Sequence, residues 1–313
     1  MPLDILTLGE PLMELSEQGA GSYHQGFGGD VSNMAVAAAR QGASVGILTR
    51  LGRDAFGDRF MELWTTEGID TRWVERSATE PTGTYLISYE AGDHRFTYYR
   101  KGSAASALGP DHVTAEAVAG TRTVHLSGIA EAISTSACDA TLQALELAKE
   151  QGTMVSFDPN LRLKLWPLPR AKALLLATAA MADICLPSLE DARALLGPAE
   201  PDALVDQLLD LGAKAVVLKL GADGALVASA QERARLEGWK VELVDATGAG
   251  DTFDGALLAE LARGVSLADA ARYANAAAAL STRGRGAVGP IPRRSEVAAF
   301  LSDQNGPRLT TPG

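Results

Sequence analysis

Cysteine is nearly absent: Cys138 and Cys185 are the only two in 313 residues. They lie far apart, with neither CxxC nor metal-like spacing, which argues against a disulfide scaffold and fits a reducing, cytoplasmic compartment. Histidine is scarce too, with four residues and no ligand spacing, so no structural metal is expected. No uncharged apolar stretch reaches the ~18 residues of a membrane span. The opening MPLDILTLGE carries Asp4 and no basic region, so it does not read as a signal peptide. Positive charge is in deficit, with 28 Lys and Arg against 39 Asp and Glu, a net charge of −11. Such a surface is a poor partner for nucleic acid or an anionic membrane, and an anionic ligand would need a local cationic pocket. Repeats and low-complexity linkers are missing as well. The length suits one large α/β domain or two ordinary ones, at ~150 residues per domain.

What is present is alternation. ILTLG (5–9), SVGILTRLG (44–52), TVHLSG (123–128), MVSFD (154–158), DICLPS (183–188) and AVVLKLG (215–221) read as buried strands. Several end in Gly, Asp or Ser, as chains do on leaving the C-terminal edge of a parallel sheet. Helical patterns lie between them at 32–42, 134–152 and 169–182. The expected fold is α/β, a doubly wound Rossmann-like domain whose ligands bind beyond the strand C-termini. Residues 11–27 and 82–100 interrupt the pattern and read as hairpins, the second turning at EAGDHR. They form either a small antiparallel β-sheet lid or an extra edge on the main sheet. The polar tail SDQNGPRLTTPG reads as loose.

One loop concentrates the chemistry. DATGAGDTFDG (245–255) is glycine-rich and opens a helical pattern, Phe253, Leu257 and Leu261, that ends at Gly264. Turns of this kind favour phosphate through free N–H groups and the helix dipole. Yet the loop holds no cation, GAGDTF lacks the third glycine of GxGxxG, and no GxxxxGK[ST] occurs in the chain. Instead it ends in a carboxylate, Asp251. Two readings stand. Asp251 sits at or next to the N-cap and only caps the helix. Alternatively, the N–H groups of Gly248, Ala249 and Gly250 hold a transferring phosphate while Asp251 takes the proton of the attacking hydroxyl.

DATGAGDTFDGAL resembles the loop of ribokinase-like (PfkB-type) carbohydrate kinases, and FGGDVSNMAVAAARQGASVGILTRLGRDAFG (27–57) resembles their N-terminal glycine motif. The likeness spans nearly the whole chain. It implies one kinase domain over 1–313 with lid segments about 11–27 and 82–100 inserted, use of ATP and Mg²⁺, and Asp251 as general base. GEPLMELSEQG (9–19), FTYYRKGSAASAL (96–108), HLSGI (125–129) and DPNLRLKLW (158–166) resemble 2-keto-3-deoxygluconate kinases. That likeness implies a sugar-acid substrate touched by Gly29, Asn33, Tyr85, Tyr98, Arg100 and Arg162. Arginine suits a carboxylate through its planar fork, and a neutral sugar would leave both arginines unpaired. The plainer alternatives are solvated surface charges at Arg100 and Arg162, and lid packing for the tyrosines.

For the nucleotide, KLGADGAL (219–226) resembles the family turn along ATP, which implies roles for Lys219, Gly221 and Gly224. Asn160 matches a position near the phosphates and Asn275 one near the adenine, though Asn275 could equally be a helix-packing polar residue. Pro187 replaces the Asn that opens the N-x-x-E motif of many relatives, leaving Glu190 with an indirect metal role. STRGRGAVG lacks an acidic residue that some sugar-acid kinases use on substrate. The alternatives are a fructokinase or ribokinase of the same family, or a non-catalytic sugar-binding regulator; the intact Asp251 and glycines argue against the last. An exposed lid edge could pair with a second copy.

Overall fold

Short apolar runs bounded by turns become strands throughout. The computed structural model describes residues 2–19, 21–90 and 93–303. Its strands, in chain order, are β1 (Leu3–Leu8), β2 (Leu12–Gly19), β3 (Ser22–Gly28), β4 (Val45–Gly52), β5 (Val74–Ser77), β6 (Thr84–Glu90), β7 (Asp93–Tyr99), β8 (Thr121–Ser127), β9 (Met154–Asp158), β10 (Ile184–Cys185), β11 (Ala215–Lys219), β12 (Ala225–Ser229) and β13 (Arg233–Leu236). Nine form one sheet in the order β13-β12-β11-β10-β9-β8-β1-β4-β5. Its pairs are parallel except β11–β12 and β12–β13. Side chains alternate across it: Val216 and Leu218 join one core layer, Ala215 and Val217 the other. The expected doubly wound domain is therefore present.

The order reverses between β1 and β8, the switch point of the sheet, where the C-terminal ends of neighbouring strands splay their loops apart. Gly9 and Glu10 leave β1 there, Ser127 ends β8, and Asp158 ends β9. The strand expected over 183–188 pairs regularly only at Ile184–Cys185. Pro187 explains part of this, having no N–H to donate, although its carbonyl still accepts the Lys219 N–H at 2.8 Å.

The two interrupting segments form a separate sheet, β3-β2-β6-β7, rather than an edge on the main one. Both hairpins are antiparallel, as expected, and they join through a parallel β2–β6 pair. The expected EAGDHR turn and most of the polar tail involve residues 91–92 and 304–313, outside the described residues.

Two helices bring the loop chemistry to the switch point. The helix Asp30–Arg40 starts at Gly29, whose φ of 94° and whose position, 2.2 Å from the Glu10 carbonyl to an ideal Cβ, admit no side chain. The helix Ala249–Ala262 packs against it with Gly255 at the crossing. A Cβ there would lie 2.5 Å from the Met34 carbonyl oxygen and 2.7 Å from the Ala37 Cβ. Gly255→Ala should therefore force the helices apart and lower stability by about 1–3 kcal/mol. Urea unfolding measures this, and an unchanged midpoint would show that the crossing is not as tight as described.

Candidate active site

Asp251 is not the N-cap. The helix begins at Ala249 after Gly248, and no side chain caps it. Asp251 is its third residue, and its Oδ2 accepts a 2.8 Å hydrogen bond from Asn33 Nδ2, across the helix crossing. No side chain makes a cap hydrogen bond here, so Asp251 does not cap this helix. The Asn33 Oδ1 is buried without a partner, an acceptor left facing the same space.

Of the three expected phosphate donors, Ala249 is already engaged, its N–H bonding the Ala246 carbonyl at 3.2 Å. The turn preceding the helix explains this. Asp245 closes it by accepting from the Thr247 N–H at 2.9 Å and the Gly286 N–H at 2.9 Å. The N–H groups of Gly248 and Gly250 make no such bond among the described residues and stay open at the positive end of the helix.

The missing cation comes from another strand. Lys219, at the end of β11, reaches inward instead of along the 219–226 turn. Its Nζ donates to Asp158 Oδ2 at 2.9 Å and to both oxygens of Asp254 at 3.0 and 3.1 Å. It also lies 3.7 Å from an ideal Cβ on Gly250, directly beside the glycine turn. Burial opposes its charge, but Asp158 and Asp254 outweigh burial and raise its pKa. Burial pushes Asp254 well up against the pull of Lys219, whereas Lys219 and a hydrogen bond from Asp254 hold Asp158 below its ordinary range. Sequence reading missed Asp254, although it follows Asp251 by three residues and so shares its helix face.

Asp30 is a further acid that sequence reading missed. Ser127 Oγ donates to its Oδ2, and so does Asn160 Nδ2 at 3.0 Å. Asn160 has φ 36°, the one positive value outside glycine among the described residues, held by its N–H bond to Asp158 Oδ1 at 3.0 Å. Burial raises Asp251 to about 7; the Asp30 charge adds to this, and the Asn33 bond opposes it.

The expected sugar contacts divide. Arg100 Nη2 is already bonded to Glu10 Oε2, so the expectation that a neutral sugar leaves it unpaired is wrong. The Tyr85 hydroxyl bonds Glu14, and its ring stacks on Tyr98 with centroids 5.7 Å apart, so Tyr85 is largely committed within the small sheet. Tyr98 stays 43% exposed. Arg162 is exposed and has no carboxylate at ion-pair distance among the described residues; its Nη1 donates to the Leu161 carbonyl at 2.9 Å.

On the nucleotide side, Asn275 Nδ2 donates to the Glu237 carbonyl at 3.3 Å. Gly224 lies against Leu236–Gly238, so the 219–226 turn and Asn275 do converge, although Asn275 is a packing residue as well. Glu190 is exposed at the start of the helix Leu189–Leu196. Burial, and then the Asp158 charge, raise the pKa of the next residue, Asp191. No cluster of three or more His, Cys, Asp or Glu suited to a metal occurs among the described residues.

The pfkB family carbohydrate kinase model matches residues 5–294. The chain belongs to that family. It is 34% identical to a 2-dehydro-3-deoxygluconokinase of Bacillus subtilis (strain 168), covering 97% of each chain. It is 30% identical to fructokinase-1 of Zea mays, over 95% of this chain and 97% of that one. A solved fructokinase with bound ATP from Xylella fastidiosa matches with a TM-score of 0.90 at 25% identity, covering 97% of this chain and 99% of that one. This pfkB-family protein is an ATP-dependent carbohydrate kinase with a ribokinase-like fold. No helix among its described residues is long and apolar enough to cross a membrane.

The charge balance predicts a pH profile. The Asp251 carboxyl, raised to about 7, is ionised only above that pH, so if it is the group that takes the proton of the attacking hydroxyl, kcat/KM should climb from pH 6 to pH 8. Asp30→Asn removes a charge that favours the protonated form and should move this limb to lower pH. A limb that stays in place would show that burial alone sets it.

Proposed function

We propose that this kinase transfers the γ-phosphoryl group of ATP to the C6 hydroxyl of 2-keto-3-deoxygluconate, giving 2-keto-3-deoxy-6-phosphogluconate. In this reading Asp251, oriented by Asn33, accepts the hydroxyl proton, while the Gly248 and Gly250 N–H groups meet the phosphate and Lys219, held by Asp158 and Asp254, braces the turn beside them. Gly29 keeps the cleft floor open beneath the sugar, and Tyr98 lines it from the small sheet, which acts as a lid. The 219–226 turn with Asn275 receives the nucleotide.

Magnesium would arrive with the ATP phosphates, since it keeps several waters and needs only one or two carboxylates. Bound there, it would neutralise developing phosphate charge. Exposed Glu190 is the residue proposed to hold its waters, consistent with the lack of an all-protein cage among the described residues.

The observation that carries the sugar-acid assignment is Arg162, a guanidinium at the end of the DPNLR turn without an ion-pair partner among the described residues. The pairing of Arg100 with Glu10 favours the second reading, a neutral-sugar kinase such as a fructokinase, because it satisfies one arginine without substrate. Arg162→Ala separates the two. A charge-assisted hydrogen bond is worth about 1.5–3 kcal/mol, or roughly 10- to 100-fold in kcat/KM. The loss should fall on the sugar acid and spare a weakly used neutral sugar. Equal losses on both substrates would count against the sugar-acid assignment.

A further inference from the structure

Glu10 occupies an unusual place. It follows β1 at the switch point, and its side chain is fully enclosed where the small sheet is rooted. The approach to β6 passes it at Gly83, where an ideal Cβ would lie 3.3 Å from Glu10 Oε1. The exit from β7 passes it at Arg100 and Ser103, and Ser103 Oγ lies 3.3 Å from Oε1. A carboxylate facing a guanidinium usually takes two N–H groups in a fork. Glu10 takes one. Arg100 Nε is left buried with no partner, and the guanidinium lies 5.5 Å above the half-open Tyr98 ring. The grip is incomplete, and the side-on edge of the arginine is left unsatisfied.

We propose that Glu10 is a specificity-determining residue that couples recognition of an anionic sugar to uptake of one proton: the substrate carboxylate takes the Arg100 fork, and Glu10 gives it up by becoming neutral. The inference rests on the sugar-acid reading above. When Glu10 is ionised, its pair with Arg100 has no net charge and offers little to a second carboxylate. When Glu10 is protonated, Arg100 is a whole cation beside the cleft, and its orphaned Nε–H finds an acceptor. The proton comes from solvent, and Ser103 can bond Glu10 in either state because a hydroxyl both donates and accepts.

The surroundings place this exchange near neutrality. Burial raises Glu10 to about 7 against the opposing charge and hydrogen bond of Arg100, and Asp30 adds a smaller push upward. Arg100, after β7, and Asp30, on the helix Asp30–Arg40, are the charged groups that act on it. Gly83 and Ser103, which also lie against this carboxylate, carry no charge. Drawing Arg100 toward a substrate weakens the main interaction holding Glu10 ionised and leaves only the smaller help of Ser103, so binding raises its pKa further. Sugar-acid binding should then weaken as pH rises above about 7, with a slope set by one proton.

The test compares kcat/KM for 2-keto-3-deoxygluconate and for fructose between pH 6 and pH 8.5. Taking the ratio cancels the titration of Asp251, which both substrates need. In the wild type the acid-to-neutral ratio should fall toward tenfold per pH unit above about 7. In Glu10→Gln it should be flat, with the acid favoured over wild type at pH 8.5. Calorimetry of the wild type in two buffers of different ionisation enthalpy should find close to one proton taken up per sugar acid bound at pH 8, and none for fructose. That readout needs no variant. Acid turnover with a flat wild-type ratio, no proton uptake, or a slope that persists in Glu10→Gln would overturn the role of Glu10 and leave the substrate assignment standing. If no sugar acid binds or turns over at any pH, the substrate assignment falls and this inference falls with it.

Discussion

The site is organised around one buried ammonium. Lys219 binds Asp158 at the end of β9 and Asp254 on the helix that carries Asp251. Without it, Asp158 and Asp254 would face one another beside Asp30 and Asp251 with no ammonium between them. Removing the partner of a buried charge typically costs more than the pair contributes, so the triad acts mainly as a geometric constraint. It fixes the first turn of the helix Ala249–Ala262 relative to β9 and β11. The open N–H groups of Gly248 and Gly250 and the carboxylate of Asp251 inherit their positions from it. A glycine-rich loop that lacks its own lysine is thus braced by Lys219 from another strand, and the open N–H groups of Gly248 and Gly250 supply the positive end of the helix.

The second constraint lies where the small sheet leaves the main one. Glu10–Arg100 ties β1 to the exit of β7, and Glu14–Tyr85 ties β2 to β6 within the sheet. Both pairs put a carboxylate near the cleft, and neither carboxylate was needed to recognise the family. Of the two arginines expected to touch substrate, Arg162, on the main-domain side, is the one without an ion-pair partner among the described residues. In the sugar-acid reading proposed above, selection by a chain of net charge −11 would work at short range, where charge pairs count for more.

Much of this was legible from the residues. Parallel strands buried on both faces read as continuous apolar runs, and the helices between them carried their own start and stop residues. Ser134 caps the helix Thr135–Gln151, and Gly152 ends it in a left-handed conformation. The hairpins were visible because period-2 alternation broke the α/β rhythm. The partners were not legible. That Lys219 turns inward follows from β11 lying beside β10 and β9, a long-range fact that no local spacing encodes. Asp251 was placed one turn too close to the cap because the helix extends back through Ala249, where glycine neighbours hide its start. Arg100 was read as free because Glu10 lies ninety residues away and only the meeting of β1 with the root of the small sheet brings the two together.

The account stands or falls on the acceptor. A coupled assay of ADP release over a panel of sugar acids and neutral sugars, with ATP and Mg²⁺, tests it most directly. Turnover should be strongest with 2-keto-3-deoxygluconate and weak with fructose and ribose. No ADP release with any sugar acid, alongside brisk turnover of fructose or ribose, would contradict the account and leave a neutral-sugar kinase built on the same site.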